Sequence, residues 1–251
     1  MTRRRSLLVV AAAWDDAAQA FVRANEAAGA ALVTPRDLSR EGWRLQPGDP
    51  AGAVAAAGGR LFPADEIGGV LIRLPRVSTA DLPHINAEDR AYVAAEMTAF
   101  LLAFLTLLPC PVANRPTTQS LCGPEWRDEK WRRLARGLGL AAPTARRRAA
   151  ACGACAPEEV PAGATVTVVG GACLGAADAG QAAAARALAR ASGADLLSVQ
   201  FESAEPGAGV LRASSLADLS DARVAAAALA LFNQARNFIP FEEADDPALG
   251  R

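Results

Sequence analysis

Residues 112–144 read VANRPTTQSLCGPEWRDEKWRRLARGLGLAAPT, and within them stands the chain's only lysine, Lys130, between Trp126 and Trp131. Pro109 and Pro111 end any helix that reaches them, because proline removes a backbone N–H and clashes with the preceding turn. Val112 and Ala113 then open a short strand. Residues 126–138 follow with helical spacing. Trp131, Leu134, Ala135 and Leu138 form an inward stripe, while Trp126, Lys130 and Arg133 share a neighbouring face at i, i+4 and i+7. Gly139 and Pro143 close that helix, and Lys130 points beside the core. Every other basic residue of the chain is arginine. A solvated face accepts either residue, whereas a compact ammonium suits a phosphate contact. A surface role and a ligand role both stay open for Lys130.

The same succession of strands and helices extends in both directions. Residues 69–74, GVLIRL, read as a strand and residues 75–83 as a loop. Asn86 with Asp89 approximates a capping box and opens a long helix. Along it Val93, Met97, Phe100, Leu101, Phe104 and Leu108 recur at three- and four-residue spacing as one buried stripe. Its most apolar part, residues 97–108, is shorter than the roughly 20 residues that cross a bilayer and reads as a core helix. Near the start, residues 6–12 form a buried strand, Asp15 or Asp16 caps a helix to about Ala28, and Gly29 stops it. With a second strand at 31–34 this is the opening of a βαβ unit. Gly48, Pro50, Gly58 and Gly59 break residues 36–63 into short edge strands and loops.

Downstream, residues 144–161 are rich in Ala, Arg and Pro and read as a linker or abbreviated insert. A strand at 165–169, a helix at 181–191 and strands at 195–201 and 209–214 follow. Those last two are joined by Pro206-Gly207 as an antiparallel hairpin. A final helix spans 221–233, and an acidic tail, residues 241–251, is expected to be mobile.

A chain of 251 residues with 51% hydrophobic residues can build a sizeable core. A net charge of −1 gives no footprint for nucleic acid, whose binders concentrate basic charge on one face. Arg3 to Arg5 and Arg146 to Arg148 are short clusters that suit a solvated surface. The opening MTRRRSLLVVAAAWDD has the arginines, apolar run and small residues of a secretory signal, yet the run stops at Trp14-Asp15-Asp16 and reads equally as a first strand. Five cysteines at no regular spacing point to a reducing, cytoplasmic setting.

From Val70 onward the order of motifs resembles the ATP-grasp superfamily, in its glutathione-synthetase and ribosomal-protein glutamate-ligase branch. The residues that carry this are Gly69 to Arg73, the helix bearing Glu96, Pro111 through Pro116 with Asn114, Lys130, and Gly139 through Pro143-Thr144. The resemblance implies an α/β protein with a Rossmann-like pre-ATP-grasp lobe, residues 1–120. A shortened ATP-grasp C-terminal lobe, residues 121–240, would follow. Such enzymes join a carboxylate to an amine through an acyl phosphate made from ATP, with Mg²⁺ bridging the phosphates. Lys130 matches the position from which the family's first lysine reaches the nucleotide. Two departures stand out. The lid subdomain, with its second lysine, is missing between Thr144 and Thr165, and the hairpin positions that carry Asp and Glu-x-Asn in the family hold Gln200, Arg212 and Ser214. Glu202 would substitute only if the register shifted by two.

Arg73, Arg76, Asn114 and Arg115 should lie near strand ends, where open α/β sheets bind ligands. With Lys130 they make a cationic pocket for a carboxylate or phosphate, or ordinary surface contacts. Cys152 and Cys155 form a CxxC whose redox or metal role is open. Gly170-Gly171 suits a tight turn or a phosphate loop, and His84 has no nucleophile partner in the sequence.

The leading expectation is a pseudoenzyme: a degenerate ATP-grasp homologue that binds a protein or peptide partner, or a small anionic ligand. It would have no metal site and no cofactor, and would serve a biosynthetic or peptide-modification pathway. The alternative is an active ATP- and Mg-dependent carboxylate-amine ligase with rearranged metal ligands. Neither involves nucleic acid or a membrane, and a homodimer is compatible with both.

Overall fold

Short runs of aliphatic residues, buried on both sides, build the first sheet. β1 (Ser6–Val10) and β5 (Ile67–Ile72) are buried along their whole length. They lie between β2 (Ala30–Val33) and β6 (Val112–Ala113), in the order β2-β1-β5-β6, with every pairing parallel. The computed structural model describes residues 5–143, 163–175 and 178–235. The apolar run after Arg5 is thus one of the two interior strands of the first sheet. The sequence expectations for the linker, the CxxC pair and the acidic tail lie outside the described residues.

Helices cover both faces of this sheet, which is why its strands show no alternation. α1 (Asp16–Asn25) is capped by Asp15, whose carboxylate accepts the Ala18 N–H at 2.9 Å. Gly29 ends the following turn with φ 89°, a left-handed conformation that glycine adopts without a Cβ penalty. Phe21 of α1 packs with Leu7, Val9 and Leu71 on one face, and α2 (Arg90–Leu107) brings Leu101, Phe104 and Leu105 to Leu8, Val10, Val70 and Ile72 on the other. The broken segment 36–63 yields a separate hairpin, β3 (Val54–Ala57) with β4 (Arg60–Pro63).

The expected cap of α2 is corrected, and its expected stripe is buried only in part. Asp89 makes no side-chain cap; the capping box of this region joins Ser78 and Asp81 in the preceding loop. Of the expected stripe, Leu101, Phe104 and Leu108 are buried. Val93, Met97 and Phe100 are half-buried, Tyr92 is 69% exposed, and the outer face carries Ala95, Glu96, Ala99 and Ala103. Alanine on that face, where charge is usual, makes the helix read as apolar throughout. It has the length and mean hydropathy, 1.4 over 18 residues, of a membrane span.

The second sheet is antiparallel, in the order β10-β9-β7-β8. Its strands are β7 (Thr165–Val169), β8 (Ala172–Leu174), β9 (Leu196–Phe201) and β10 (Val210–Ser214). Gly170, at φ 57°, makes the tight turn between β7 and β8. One face buries Val166, Val168, Leu197 and Val199 against Trp131 and Ala135 of α3 (Asp128–Gly137) and Leu188 of α4 (Ala179–Ser192). Leu138, expected inside, caps α3 and is 41% exposed.

Among the described residues, several contacts bind the lobes. α5 (Ala222–Ala235), late in the chain, returns to the first sheet, setting Val224, Ala228 and Phe232 beside Leu7 and Leu71, with Val169 and Leu196 from the second. Asn114, 1% exposed at the end of β6, donates from Nδ2 to the Leu196 carbonyl at 2.7 Å, and its Oδ1 accepts the Leu196 N–H at 2.8 Å. Arg73 donates from Nε to Asp15 Oδ2 at 2.7 Å and from Nη1 to the Ala217 carbonyl at 2.5 Å.

Replacing Asn114 by alanine leaves both backbone groups of Leu196 buried without partners, each at a cost of roughly 1–3 kcal/mol. Asn114→Ala should therefore lower Tm by several degrees, at about 2–4 °C per kcal/mol for a domain of this size. An unchanged melting curve would remove Asn114 from the junction.

Candidate functional site

Two clefts meet at Glu125. The first lies beyond the carboxyl ends of β1 and β5, where parallel sheets offer ligands a crevice. It encloses about 620 Å³ and is lined by Trp14, Arg76, Ser78, Asp81, Gln119 and Glu125, among others. The strand ends deliver Trp14 and Arg76 directly. Trp14 is 58% exposed and, with Ala12, Leu74 and Pro75, gives the groove an apolar part beside its charged residues. Asp81, 8% exposed, is placed by its capping box: Oδ2 accepts the Ser78 N–H at 2.7 Å and the Ser78 hydroxyl at 2.6 Å. Among the described residues its buried Oδ1 has no partner. A buried acceptor in that state favours a donor from a ligand or water over none.

The second cleft, about 440 Å³, lies on the polar face of the second sheet and is lined by Trp126, Thr165, Ser198, Gln200, Arg212 and Ser214, with Glu125 and Asp128. Period-two alternation puts these polar residues opposite the buried valines. The register aligns them in two rows across the strands, Thr165–Gln200–Arg212 and Thr167–Ser198–Ser214. Arg212 Nε donates to Gln200 Oε1 at 2.6 Å, and the Thr167 and Ser198 hydroxyls share a bond of 2.9 Å. Glu125 accepts the Ser214 hydroxyl at 3.0 Å, the Ser215 N–H at 2.8 Å and the Ser215 hydroxyl at 2.5 Å.

The five residues expected to make one cationic pocket are not gathered into one. Arg76 is exposed on the first cleft. Arg73 borders that cleft, but its guanidinium is engaged by Asp15 and Ala217. Asn114 is engaged by Leu196. Arg115 is exposed; burial pushes the Asp195 carboxyl up from its ordinary value, and the Arg115 charge opposes that rise. Lys130 is exposed with Nζ 3.6 Å from the centre of the Trp126 ring, which lines the second cleft. The cation–π contact explains why Trp126, just ahead of α3, belongs with Lys130.

The resemblance implies a phosphate-bridging Mg²⁺ at the hairpin β9–β10, and the residues there do not fit one. Magnesium takes oxygen donors in near-ideal octahedral geometry. Gln200 Oε1 already accepts Arg212, Glu125 is held by Ser214 and Ser215, and Arg212 brings positive charge to the position. The pairing of Gln200 with Arg212 fixes the register, and Glu202 Oε2 accepts the Gly209 N–H at 3.1 Å, closing the hairpin loop. Among the described residues no three His, Cys, Asp or Glu side chains converge. Burial pushes the Cys110 thiol up to about 11 and raises Cys122 as well, so neither is a thiolate at neutral pH. His84 Nε2 pairs with the Ser39 hydroxyl at 2.8 Å.

Sequence reasoning missed Asp81 and Glu125. The S-x-x-D spacing of Ser78 and Asp81 is a legible cap signal, hidden in a stretch read only as loop. Glu125 carries none, since its partners Ser214 and Ser215 lie about ninety residues away.

No protein-family model matches the chain, and no curated protein does. Solved structures do. The macrocyclase MdnC bound with precursor peptide MdnA, from Microcystis aeruginosa MRC, superposes with a TM-score of 0.64 at 13% identity, over 92% of this chain and 100% of that one. The ATP-grasp ligase PsnB, complexed with a phosphomimetic variant of minimal precursor, Mg and ADP, gives 0.62 at 14% identity, over 90% and 98%. A Chryseobacterium gregarium RiPP-associated ATP-grasp ligase, in complex with ADP and a leader and core peptide, gives 0.61 at 9% identity, over 92% and 97%. At these identities the likeness is one of fold: a parallel-sheet first lobe and an antiparallel second lobe, the architecture of the ATP-grasp ligases.

Proposed function

We propose that this chain is a peptide-binding subunit with an ATP-grasp fold that forms no acyl phosphate, acting in a peptide-modification pathway. The observation that carries the reading is the Gln200–Arg212 pair, an amide bonded to a guanidinium at the hairpin positions for which the resemblance implies metal-binding side chains. Peptide binding draws support from the first cleft. There the aromatic surface of Trp14, the exposed charge of Arg76 and the unpartnered oxygen of Asp81 suit a chain that offers apolar, acidic and N–H groups together. Three structures of the same fold hold precursor, leader or core peptides, and this chain would use its cleft in the same broad way.

A second reading, an active carboxylate-amine ligase, is favoured by one feature: Glu125 reaches both clefts and is a carboxylate between them. The nucleotide separates the two. A ligand at 100 times its Kd adds about 2.7 kcal/mol to stability. A ligase should therefore gain several degrees of Tm with MgATP, lose the gain in EDTA, and lose it in Lys130→Ala. The proposed subunit should show no Mg-dependent gain.

Peptides selected from a random library on the wild-type protein should be acidic, quench Trp14 fluorescence, and bind at least about tenfold more weakly to Arg76→Glu, a loss of about 1.4 kcal/mol. Selection of no peptide, or equal binding by Arg76→Glu, would defeat the assignment of this cleft.

A further inference from the structure

We propose that the second cleft is a metal-free oxyanion site, in which Arg212, oriented by Gln200, receives a phosphate or carboxylate group directly. The cross-strand bond occupies only Nε of Arg212. Among the described residues its two terminal amino groups have no protein partner, so a planar fork is held in place and presented to an exposed cleft of about 440 Å³. Such a fork matches two oxygens of a carboxylate or phosphate at once, and its restriction by Gln200 lowers the entropy lost on binding.

The acidic groups of the cleft do not oppose an incoming anion at full strength. Glu125 is answered by three donors from Ser214 and Ser215, and Asp128 lies 4.0 Å from the Arg132 guanidinium. Thr165, in register with Gln200 and so in the row of Arg212, adds a hydroxyl donor. Lys130, resting on Trp126, brings a second positive charge to the rim. Arg212 thus supplies the charge that a divalent cation would otherwise bring, and the positive side chain excludes that cation by repulsion. The same chemistry recognises the phosphates of a nucleotide or the acidic side chains of a peptide.

The test is isothermal titration with inorganic pyrophosphate and, separately, with a short oligoglutamate peptide, at low ionic strength where exposed charges are least screened. Each titration is run in EDTA and again with Mg²⁺. Binding in EDTA is expected, without strengthening by Mg²⁺ and with at least about a tenfold loss in Arg212→Gln. Because Arg212 is exposed, that variant should keep the wild-type Tm. Gln200→Leu, which releases the fork, should weaken binding less. Tighter pyrophosphate marks a phosphate ligand, and tighter oligoglutamate a peptide carboxylate. No binding of either probe, binding that appears only with Mg²⁺, or full binding by Arg212→Gln would overturn the proposal. The peptide assay with Arg76→Glu reads the first cleft and the pyrophosphate assay with Arg212→Gln reads the second, so the two results stand apart.

Discussion

The two lobes meet through one side chain that behaves as backbone. Asn114 presents a carbonyl and an amide N–H to Leu196 as a neighbouring strand would, and it thereby extends the hydrogen bonding of the first sheet to the start of β9. Buried polar groups that stay paired hold geometry tightly, because any displacement leaves them unsatisfied in a low-dielectric interior. From this junction the remaining placements follow. β9 leaves Leu196 with Ser198 and Gln200 on its open face, β10 pairs to it, and Ser214 and Ser215 end beside Glu125. Glu125 therefore belongs to both clefts because the lobes are fixed to each other at Asn114 and clamped again by Arg73 and α5.

The clefts differ in what their charges do. In the first, Arg73 is neutralised by Asp15 within the protein, which leaves Arg76 as the exposed cation and Asp81 as a buried acceptor with one oxygen unpartnered. In the second, the carboxylate is quieted by serine donors and the guanidinium is fixed by an amide. A site arranged around a metal has the opposite disposition, with carboxylates open and cations held back. The sheets and helices follow the ATP-grasp architecture, and in the proposed reading the β9–β10 hairpin meets an anion directly through Arg212.

Much of the fold was legible. Continuous apolar strands marked the parallel sheet, Gly29 marked a helix end, and Pro206-Gly207 marked the antiparallel hairpin. What was not legible depends on contacts between distant residues. Nothing near Asn114 announces that it will pair with Leu196, and an asparagine at a strand end reads as a ligand group by default. The partners of Arg73, Asp15 and Ala217, were hidden for the same reason, since they belong to other parts of the chain. The stripe of α2 was legible from its spacing, but spacing does not show that Val93, Met97 and Phe100 stay half-buried. Lys130 was singled out for being the only lysine, and its contact with Trp126 now gives a local reason for a cation there.

The central claim is that this chain keeps the ATP-grasp architecture while making no acyl phosphate. The most direct measurement supplies MgATP and a peptide bound in the first cleft, with hydroxylamine present to trap any activated carboxyl as a hydroxamate, and follows ADP release and peptide mass together. The account predicts neither ADP above the rate in buffer nor a hydroxamate on the peptide. ADP released in step with hydroxamate formation would contradict it and make the protein a ligase.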